Sequence, residues 1–211
     1  MQVVICANEN QKKELLSNTI QEGTSIIWIS DINEIEKYKD SDVLIDLQFE
    51  NTQKRIQQLS SLLQPLIIIN SVTDILEEIN SSFVRINGWP TFLNGNIVEA
   101  SYLHVENKIK TEEVFALFGK SIEWLRDLPG FVTPRVISMI INEAFFALKE
   151  GVSTPEEINI AMKLGTAYPF GPFEWGEKIG LKNVVALLQK LAKQQARYTP
   201  CSLLVQESNR S

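Results

Sequence analysis

The stretch from Asp127 to Leu181 reads DLPGFVTPRVISMIINEAFFALKEGVSTPEEINIAMKLGTAYPFGPFEWGEKIGL, and it decides the fold of the second part of the chain. Pro134 suits the first turn of a helix, where a missing N–H costs nothing. Apolar residues follow at helical spacing as far as Gly151, a residue typical of helix ends. Thr154 precedes a proline and two glutamates, which is the pattern of a capped helix start. The spacing predicts helices over residues 134–150 and 155–165, from near residue 172, and over residues 181–196.

The first part of the chain alternates between short apolar runs and helical patterns. Strands are predicted at residues 3–6, 25–29, 43–47, 66–69 and 83–86, and helices at 11–21, 51–63 and 73–79. Nearly continuous apolar strands between helices are typical of a parallel sheet covered on both faces. We therefore predict an α/β, doubly wound, Rossmann-like domain over residues 1–126, followed by an all-α domain over residues 127–211.

Composition and charge exclude several classes of partner. The chain of 211 residues has a formal net charge of −6, whereas nucleic-acid and anionic-membrane partners favour a basic face. No apolar run approaches the ~20 residues that span a bilayer. The apolar N-terminus has no basic flank, so we do not expect a signal peptide. The two cysteines, Cys6 and Cys201, are far apart and form neither a disulfide framework nor a metal site, which favours two reduced thiols in a cytoplasmic protein.

Several blocks of the second part occur together in one known family, in the same order and spacing. They are DLPGFV at residues 127–132, NEA at 142–144, AMKLG at 161–165 and PFGPFE at 169–174. By these blocks the chain resembles the 3-hydroxyacyl-CoA dehydrogenase family, which joins an NAD-binding Rossmann domain to a small helical domain. The resemblance implies NAD as cofactor, oxidation of a 3-hydroxyacyl-CoA to a 3-ketoacyl-CoA, and a homodimer through the C-terminal domain.

The resemblance also implies which residues occupy the catalytic positions. Glu99 fits the glutamate that orients the family's catalytic histidine, and twelve residues before it the chain has Asn87. An asparagine can hydrogen-bond a hydroxyl group but cannot accept its proton. Ser71 lies in the turn where the family offers a hydroxyl to the thioester, although a structural turn is an alternative role. The single histidine, His104, lies outside the motif, and Pro134 replaces an expected active-site asparagine.

The cofactor site departs from the family pattern at its first turn. A Rossmann turn needs Gly-x-Gly-x-x-Gly so that the backbone can approach a pyrophosphate, and residues 6–11 contain no glycine. Asn8 and Gln11 have the spacing of a capping box, and Glu9 adds a negative charge where phosphate would lie. Asp31 stands where a ribose-binding acid belongs, with a strand-end turn as the alternative. By resemblance, Glu50 follows the third strand as a second cofactor-binding candidate.

Two classes of function remain open from the sequence. One is the NAD-dependent enzyme, which rests on the family match, Glu99 and Asp31. The other is a non-catalytic relative that binds a small, acyl-CoA-like molecule as a homodimer. This second class rests on the absence of the catalytic base, of the glycine loop and of the active-site asparagine. The short segment 32–40 also lacks room for the helical hairpin that helps to hold CoA in the family. A third interpretation is a new small-molecule site that reuses Asn87, Glu99, Ser71 and Trp89.

Overall fold

The computed structural model describes residues 1–17, 25–62 and 65–210. The chain divides into two compact units, Met1–Phe131 and Val132–Ser211. The predicted boundary between residues 126 and 127 lies before this division. Asp127 belongs to the first unit because its carboxylate is held there: it pairs with the buried Arg85 and accepts a hydrogen bond from the Leu76 N–H at 2.8 Å.

The first unit is built on one sheet that has seven strands within the described residues. These are β1 (Gln2–Cys6), β2 (Ser25–Ile29), β3 (Val43–Asp46), β4 (Leu66–Asn70), β5 (Val84–Ile86), β6 (Ile97–Tyr102) and β7 (Ser121–Trp124), in the spatial order β2-β1-β3-β4-β5-β6-β7. Neighbouring strands are parallel except β5 and β6, which run antiparallel. The five strands predicted from the apolar runs, β1 to β5, are parallel to one another, as expected. The connection 87–96 is shorter than the dozen or so residues that a parallel crossover takes, and β6 runs antiparallel to β5.

Helices cover both faces of the sheet, as a doubly wound fold requires. They are α1 (Glu9–Leu15), α2 (Gln53–Ser60), α3 (Leu76–Ile79) and α4 (Asn107–Ala116), with 3-10 helices at Ile32–Tyr38 and Phe92–Asn94. Val3 and Ile5 of β1 pack in one core cluster with Phe115 of α4, whereas Val4 packs on the opposite face with Leu59 of α2. Successive side chains of β1 point to opposite faces of the sheet and therefore contribute to the core on each face.

Some predicted elements differ from the observed ones. The helix predicted at residues 11–21 begins earlier, because Asn8 caps α1, and residues 18–24 lie outside the described residues. The helix predicted at 73–79 is reduced to the four residues of α3. The segment 32–40 forms a 3-10 helix over Ile32–Tyr38, in line with the short connection that we expected. Helix α4 and strand β7 were not predicted.

The second unit is helical in its described residues. It contains α5 (Thr133–Lys149), α6 (Pro155–Thr166), α7 (Pro172–Ile179), α8 (Leu181–Ala192) and α9 (Ser202–Ser208), with a 3-10 helix at Ala196–Tyr198. Gly151, with φ of 73°, follows the end of α5, and Thr154 forms a capping box at the start of α6. The ring of Phe173 packs 5.0 Å from that of Phe145, so the first turn of α7 contacts α5. None of the helices in the described ranges has the length and apolar composition needed to span a bilayer.

Candidate functional site

The turn after β1 is held by side chains instead of glycines. Asn8 Oδ1 accepts a hydrogen bond from the Gln11 N–H at 2.9 Å, and Gln11 Oε1 accepts one from the Asn8 N–H at 3.0 Å. This confirms the capping box that the sequence predicts. Gln11 Nε2 also donates to the Leu47 carbonyl, beyond the end of β3, at 2.7 Å. Glu9 is exposed in the first turn of α1.

A second side-chain amide, that of Asn70, lies at the same edge of the sheet. Asn70, at the end of β4, donates from Nδ2 to the Leu47 carbonyl and to the Gly88 carbonyl, both at 3.2 Å. Its Oδ1 accepts from the Gly88 N–H at 2.9 Å. A Cβ at Gly88 would lie 2.8 Å from Asn70 Cγ, so the close approach requires glycine. Asn70 therefore joins the ends of β3, β4 and β5.

Asn87 and Glu99, the two principal catalytic candidates, lie together in the interior of the first unit. Asn87 Nδ2 donates to Glu99 Oε2 at 3.0 Å, and the Trp89 N–H donates to Asn87 Oδ1 at 3.3 Å. Asn87 is 3% exposed and Glu99 is 9% exposed. The backbone adds a further bond, from the Asn87 N–H to the Glu99 carbonyl, at 2.9 Å. A carboxylate here orients a neutral amide and not a titratable imidazole.

Ser71, the third catalytic candidate, uses its hydroxyl within its own turn. The hydroxyl donates to the Asp74 carbonyl at 2.9 Å, and Ser71 is buried. This geometry favours the structural alternative over a hydroxyl offered to a thioester. His104 is half exposed, and its Nδ1 lies 3.6 Å from the Glu106 carboxylate.

Asp31 and Glu50, the two cofactor candidates, line one pocket at the ends of β2 and β3. The pocket has a volume of about 370 Å³ and is lined by Ser30, Asp31, Ile32, Asn33, Gln48, Glu50, Thr52, Lys54, Arg55 and Gln58. Asp31 Oδ1 also accepts hydrogen bonds from the Asn33 N–H at 2.9 Å and from its Nδ2 at 2.8 Å, which caps the following 3-10 helix. Asp31 therefore both caps the 3-10 helix and lines the pocket.

An ion pair lies beside this pocket. Arg55 Nε donates to Asp46 Oδ2 at 2.8 Å and Nη2 donates to Asp46 Oδ1 at 3.1 Å, a two-pronged contact. Burial raises the pKa of the Asp46 carboxyl, and the Arg55 guanidinium opposes that shift. Burial, with the nearby Asp46 carboxylate, raises the pKa of the Cys6 thiol to about 12. Arg55 is thus committed to Asp46, while Lys54 is exposed.

Arg85 is a polar centre that the sequence analysis did not identify. It is fully buried in β5, pairs with Asp127, and donates to the Ser71 carbonyl at 3.1 Å and the Leu128 carbonyl at 2.7 Å. Its guanidinium lies 4.1 Å from the centroid of the Phe131 ring. A charged residue inside the apolar run of residues 83–86 was the available signal. In the described residues, no group of three or more His, Cys, Asp or Glu side chains is arranged to hold a metal ion.

Comparisons with known proteins agree with this architecture. Residues 130–209 match the family model described as "3-hydroxyacyl-CoA dehydrogenase, C-terminal domain". A 3-hydroxybutyryl-CoA dehydrogenase of Clostridioides difficile is 31% identical over 196 residues, covering 83% of this chain and 68% of that protein. The 3-hydroxyadipyl-CoA dehydrogenase of Escherichia coli (strain K12) is 42% identical over 92 residues, covering 43% of this chain and 19% of that protein.

A solved structure extends the likeness to the whole fold. The crystal structure of an (S)-3-hydroxybutyryl-CoA dehydrogenase from Ralstonia eutropha superposes with a TM-score of 0.73 at 21% identity, covering 99% of this chain and 93% of that one. Several of the sequence matches cover only a minor part of the matched relative's own length. This chain spans only 19%, 33% and 31% of three curated dehydrogenases from Escherichia coli, Bradyrhizobium diazoefficiens and Bacillus subtilis.

Proposed function

This chain belongs to the 3-hydroxyacyl-CoA dehydrogenase family, and on that premise we propose that it is a non-catalytic member that binds a small molecule as a homodimer. The reaction implied by the family resemblance oxidises the hydroxyl at C3 of a 3-hydroxyacyl-CoA, with transfer of a hydride to NAD. The proposal is that this chain keeps the fold and does not run that oxidation.

The observation that carries the proposal is the 3.0 Å hydrogen bond from Asn87 Nδ2 to Glu99 Oε2. Oxidation of an alcohol needs a group that accepts the hydroxyl proton as the hydride leaves, and an imidazole is suited to this because its pKa lies near neutrality. A side-chain amide does not accept a proton at any usable pH. Loss of a positioned base costs about 10²–10⁴-fold in rate.

The competing proposal, an active dehydrogenase, would need another base. Glu99 is the nearest candidate, but its carboxylate already accepts the Asn87 amide and is buried. His104 is at the surface beside Glu106. In the helical unit Pro134 occupies the first turn of α5 and supplies no side-chain donor. These residues favour binding over turnover.

The residues at the first turn do not fit the NAD that the family resemblance implies. A pyrophosphate binds to free backbone N–H groups at the N-terminus of the first helix, where glycines let the backbone approach. Here the Gln11 N–H donates to Asn8 Oδ1, and the Gln11 side chain extends to the Leu47 carbonyl. Glu9 adds a carboxylate in the same turn.

The test is a turnover assay on purified protein with NADH and acetoacetyl-CoA, followed by the decay of NADH absorbance. We expect no turnover from the wild type. Asn87→His supplies a base, and Asn87→Gln is its matched control, since glutamine is similar in size but does not titrate. Wild-type turnover at rates usual for 3-hydroxyacyl-CoA dehydrogenases would refute the proposal.

The homodimer part of the proposal rests on a groove of the helical unit. The groove has a volume of about 510 Å³ and is lined by Arg135, Val136, Met139, Ile140, Glu143, Arg197 and Tyr198. Its floor is largely apolar, and Val136 is 48% exposed. Arginines and a glutamate on the same face make it self-complementary in charge, which suits the two-fold contact of identical subunits.

Light scattering coupled to gel filtration tests the dimer. Ile140→Glu places a carboxylate in the groove, and we expect it to shift the protein from dimer to monomer at micromolar concentration. Leu164→Glu is the control, because Leu164 is 84% exposed on α6 and does not line the groove. A wild type that is monomeric at this concentration would contradict the homodimer.

We also propose a cytoplasmic location. Both cysteines, Cys6 and Cys201, are free buried thiols. Free thiols in this number are typical of proteins in a reducing compartment. A folded protein recovered from the cytosolic fraction supports the proposal, and recovery with the secreted fraction contradicts it.

A further inference from the structure

The chain has two Asn-Gly dipeptides, Asn87-Gly88 and Asn94-Gly95, and both lie on the connection between β5 and β6. An asparagine before glycine is prone to spontaneous loss of its side-chain amide. The reason is steric, because glycine has no Cβ to hinder its backbone nitrogen as that nitrogen approaches the asparagine Cγ. In a folded protein the reaction therefore depends on whether the local structure permits this approach.

The surroundings of Asn87 prevent the approach. Its Nδ2 donates to Glu99 Oε2 at 3.0 Å and its Oδ1 accepts from the Trp89 N–H at 3.3 Å, so both ends of the amide are held. The nitrogen that would attack, Gly88 N, donates its hydrogen to Asn70 Oδ1 at 2.9 Å. Asn87 is also only 3% exposed, so the water that completes the reaction has little access to it.

The surroundings of Asn94 permit the approach. Asn94 and Gly95 are both exposed, at the end of the 3-10 helix Phe92–Asn94. The Gly95 N–H donates to the Phe92 carbonyl over 3.4 Å, and the Asn94 N–H donates to the Thr91 carbonyl over the same distance. Hydrogen bonds of this length are weak, so little free energy is lost when the Gly95 nitrogen leaves its partner.

The main chain on either side of Asn94 also holds a buried cation. Lys120, 3% exposed, donates from Nζ to the Leu93 carbonyl at 2.6 Å and to the Gly95 carbonyl at 3.0 Å. Its Nζ also donates to Ser17 Oγ at 3.3 Å, and Ser17 Oγ donates to the Asn94 carbonyl at 3.2 Å. The three acceptors match the three hydrogens of the ammonium group.

We propose that Asn94 is a site of spontaneous deamidation, from which the fold shields Asn87, and that its isoaspartate product frees Lys120 and destabilises the first unit. In the first step the Gly95 nitrogen forms a bond to Asn94 Cγ and the Cγ–Nδ2 bond breaks. Nδ2 leaves as ammonia, carrying the proton of the Gly95 N–H. Water then opens the cyclic imide at one of its two carbonyls, which gives either aspartate or isoaspartate.

Only isoaspartate changes the path of the main chain, which then passes through Cβ and Cγ and is longer. This insertion lies between the Leu93 and Gly95 carbonyls and moves one relative to the other. The Lys120 ammonium therefore loses an acceptor while it stays buried, and a buried charge that loses its partners is strongly destabilising. The reaction needs no substrate of the protein, so it is independent of the proposed function.

Peptide mapping of protein aged at mildly alkaline pH tests the first part. Trypsin releases residues 86–108 as one peptide that contains both dipeptides, and fragmentation spectra assign the mass gain to one asparagine. We expect Asn94 to convert at least about tenfold faster than Asn87 in the folded protein, and the two rates to agree within about threefold in urea. A sample digested at once corrects for conversion during digestion. Equal rates in the folded protein would overturn the site.

Gly95→Ala blocks the reaction with little disturbance of the fold. A Cβ at Gly95 would have its nearest contact at 3.6 Å, an ordinary distance, whereas a Cβ at Gly88 would lie 2.8 Å from Asn70 Cγ. We expect Gly95→Ala to slow the conversion of Asn94 about tenfold or more and to keep the wild-type Tm. An unchanged rate of conversion would show that the Gly95 nitrogen is not the attacking group and would overturn the mechanism.

Urea unfolding of the converted protein, purified by ion exchange, tests the second part. We expect isoaspartate at position 94 to lower the midpoint by about 1 M or more. Asn94→Asp is the matched control, because it adds the same charge on an unchanged main chain, and its midpoint should lie within about 0.3 M of wild type. In Lys120→Met the conversion should have a much smaller effect, since methionine needs no acceptors. An unshifted midpoint, or an equal loss in Lys120→Met, would overturn the role of Lys120.

Discussion

Replacement of the buried Arg85 by methionine gives the strongest stability prediction. Methionine keeps most of the length and apolar volume of the side chain but removes the charge. The Asp127 carboxylate, 6% exposed, then loses its cationic partner, and the Ser71 and Leu128 carbonyls lose their donors. Breaking a buried pair by removing one partner costs about 3–5 kcal/mol, a large fraction of the ~5–15 kcal/mol by which a domain is stable.

Urea unfolding followed by tryptophan fluorescence measures this loss in the first unit, which contains Trp28, Trp89 and Trp124. With a cost of about 4 kcal/mol and a slope of roughly 2 kcal/mol per molar urea, the midpoint falls by ~2 M. The double variant Arg85→Met/Asp127→Leu removes both charges, and we expect it to recover much of the loss. A single-variant shift below about 0.5 M, or an equal loss in the double variant, would refute the reasoning.

Three other outcomes follow from single contacts. Cys6 and Cys201 are buried thiols, and burial raises the pKa of Cys6 to about 12. We therefore expect both to react with a thiol reagent at mildly alkaline pH only after unfolding. Rapid labelling of the native protein would contradict this. Gly88→Ala places a Cβ 2.8 Å from Asn70 Cγ, and we expect overpacking to cost about 1–3 kcal/mol, measured as a lower Tm. Thr154→Ala removes the cap of α6 and should cost about 1 kcal/mol in urea unfolding, whereas Thr154→Ser should be close to neutral.

The elements that the sequence predicted well are those with local causes. The β-branched runs of β1 to β4 are short, apolar and bounded by polar residues, so their type and order follow from the pattern. Caps have the same local character: Thr154 and Asn8 both bond to the residue three positions on. Helix α4 has no comparable local pattern. Its apolar residues do not share one buried face, since Ile109 is 68% exposed while Val114 and Phe115 are fully buried.

The contacts that the sequence did not reveal join residues far apart in the chain. Arg85 and Asp127 are 42 positions apart, and Gln11 reaches Leu47 across 36 positions. Neither pair has a local pattern, and each depends on which strands lie side by side. That Asp31 and Glu50 lie close together, in one pocket, could in contrast be expected from the sequence. Both acids follow strands that flank β1, and the carboxyl ends of parallel strands meet at one edge.

The two differences from the family's catalytic pattern on which the proposal rests involve different numbers of residues. The base is a single position, and Asn87→His restores a titratable group beside Glu99 in one step. The amide contacts at the proposed cofactor edge are instead distributed over Asn8, Gln11 and Asn70, and the bonds of Gln11 and Asn70 share the Leu47 carbonyl. A base accelerates hydride transfer only when the acceptor is bound in position. Asn87→His should therefore remain inactive with NADH and acetoacetyl-CoA even where its fold and dimer are unchanged, and turnover by this variant alone would show that the edge of the sheet still admits the dinucleotide.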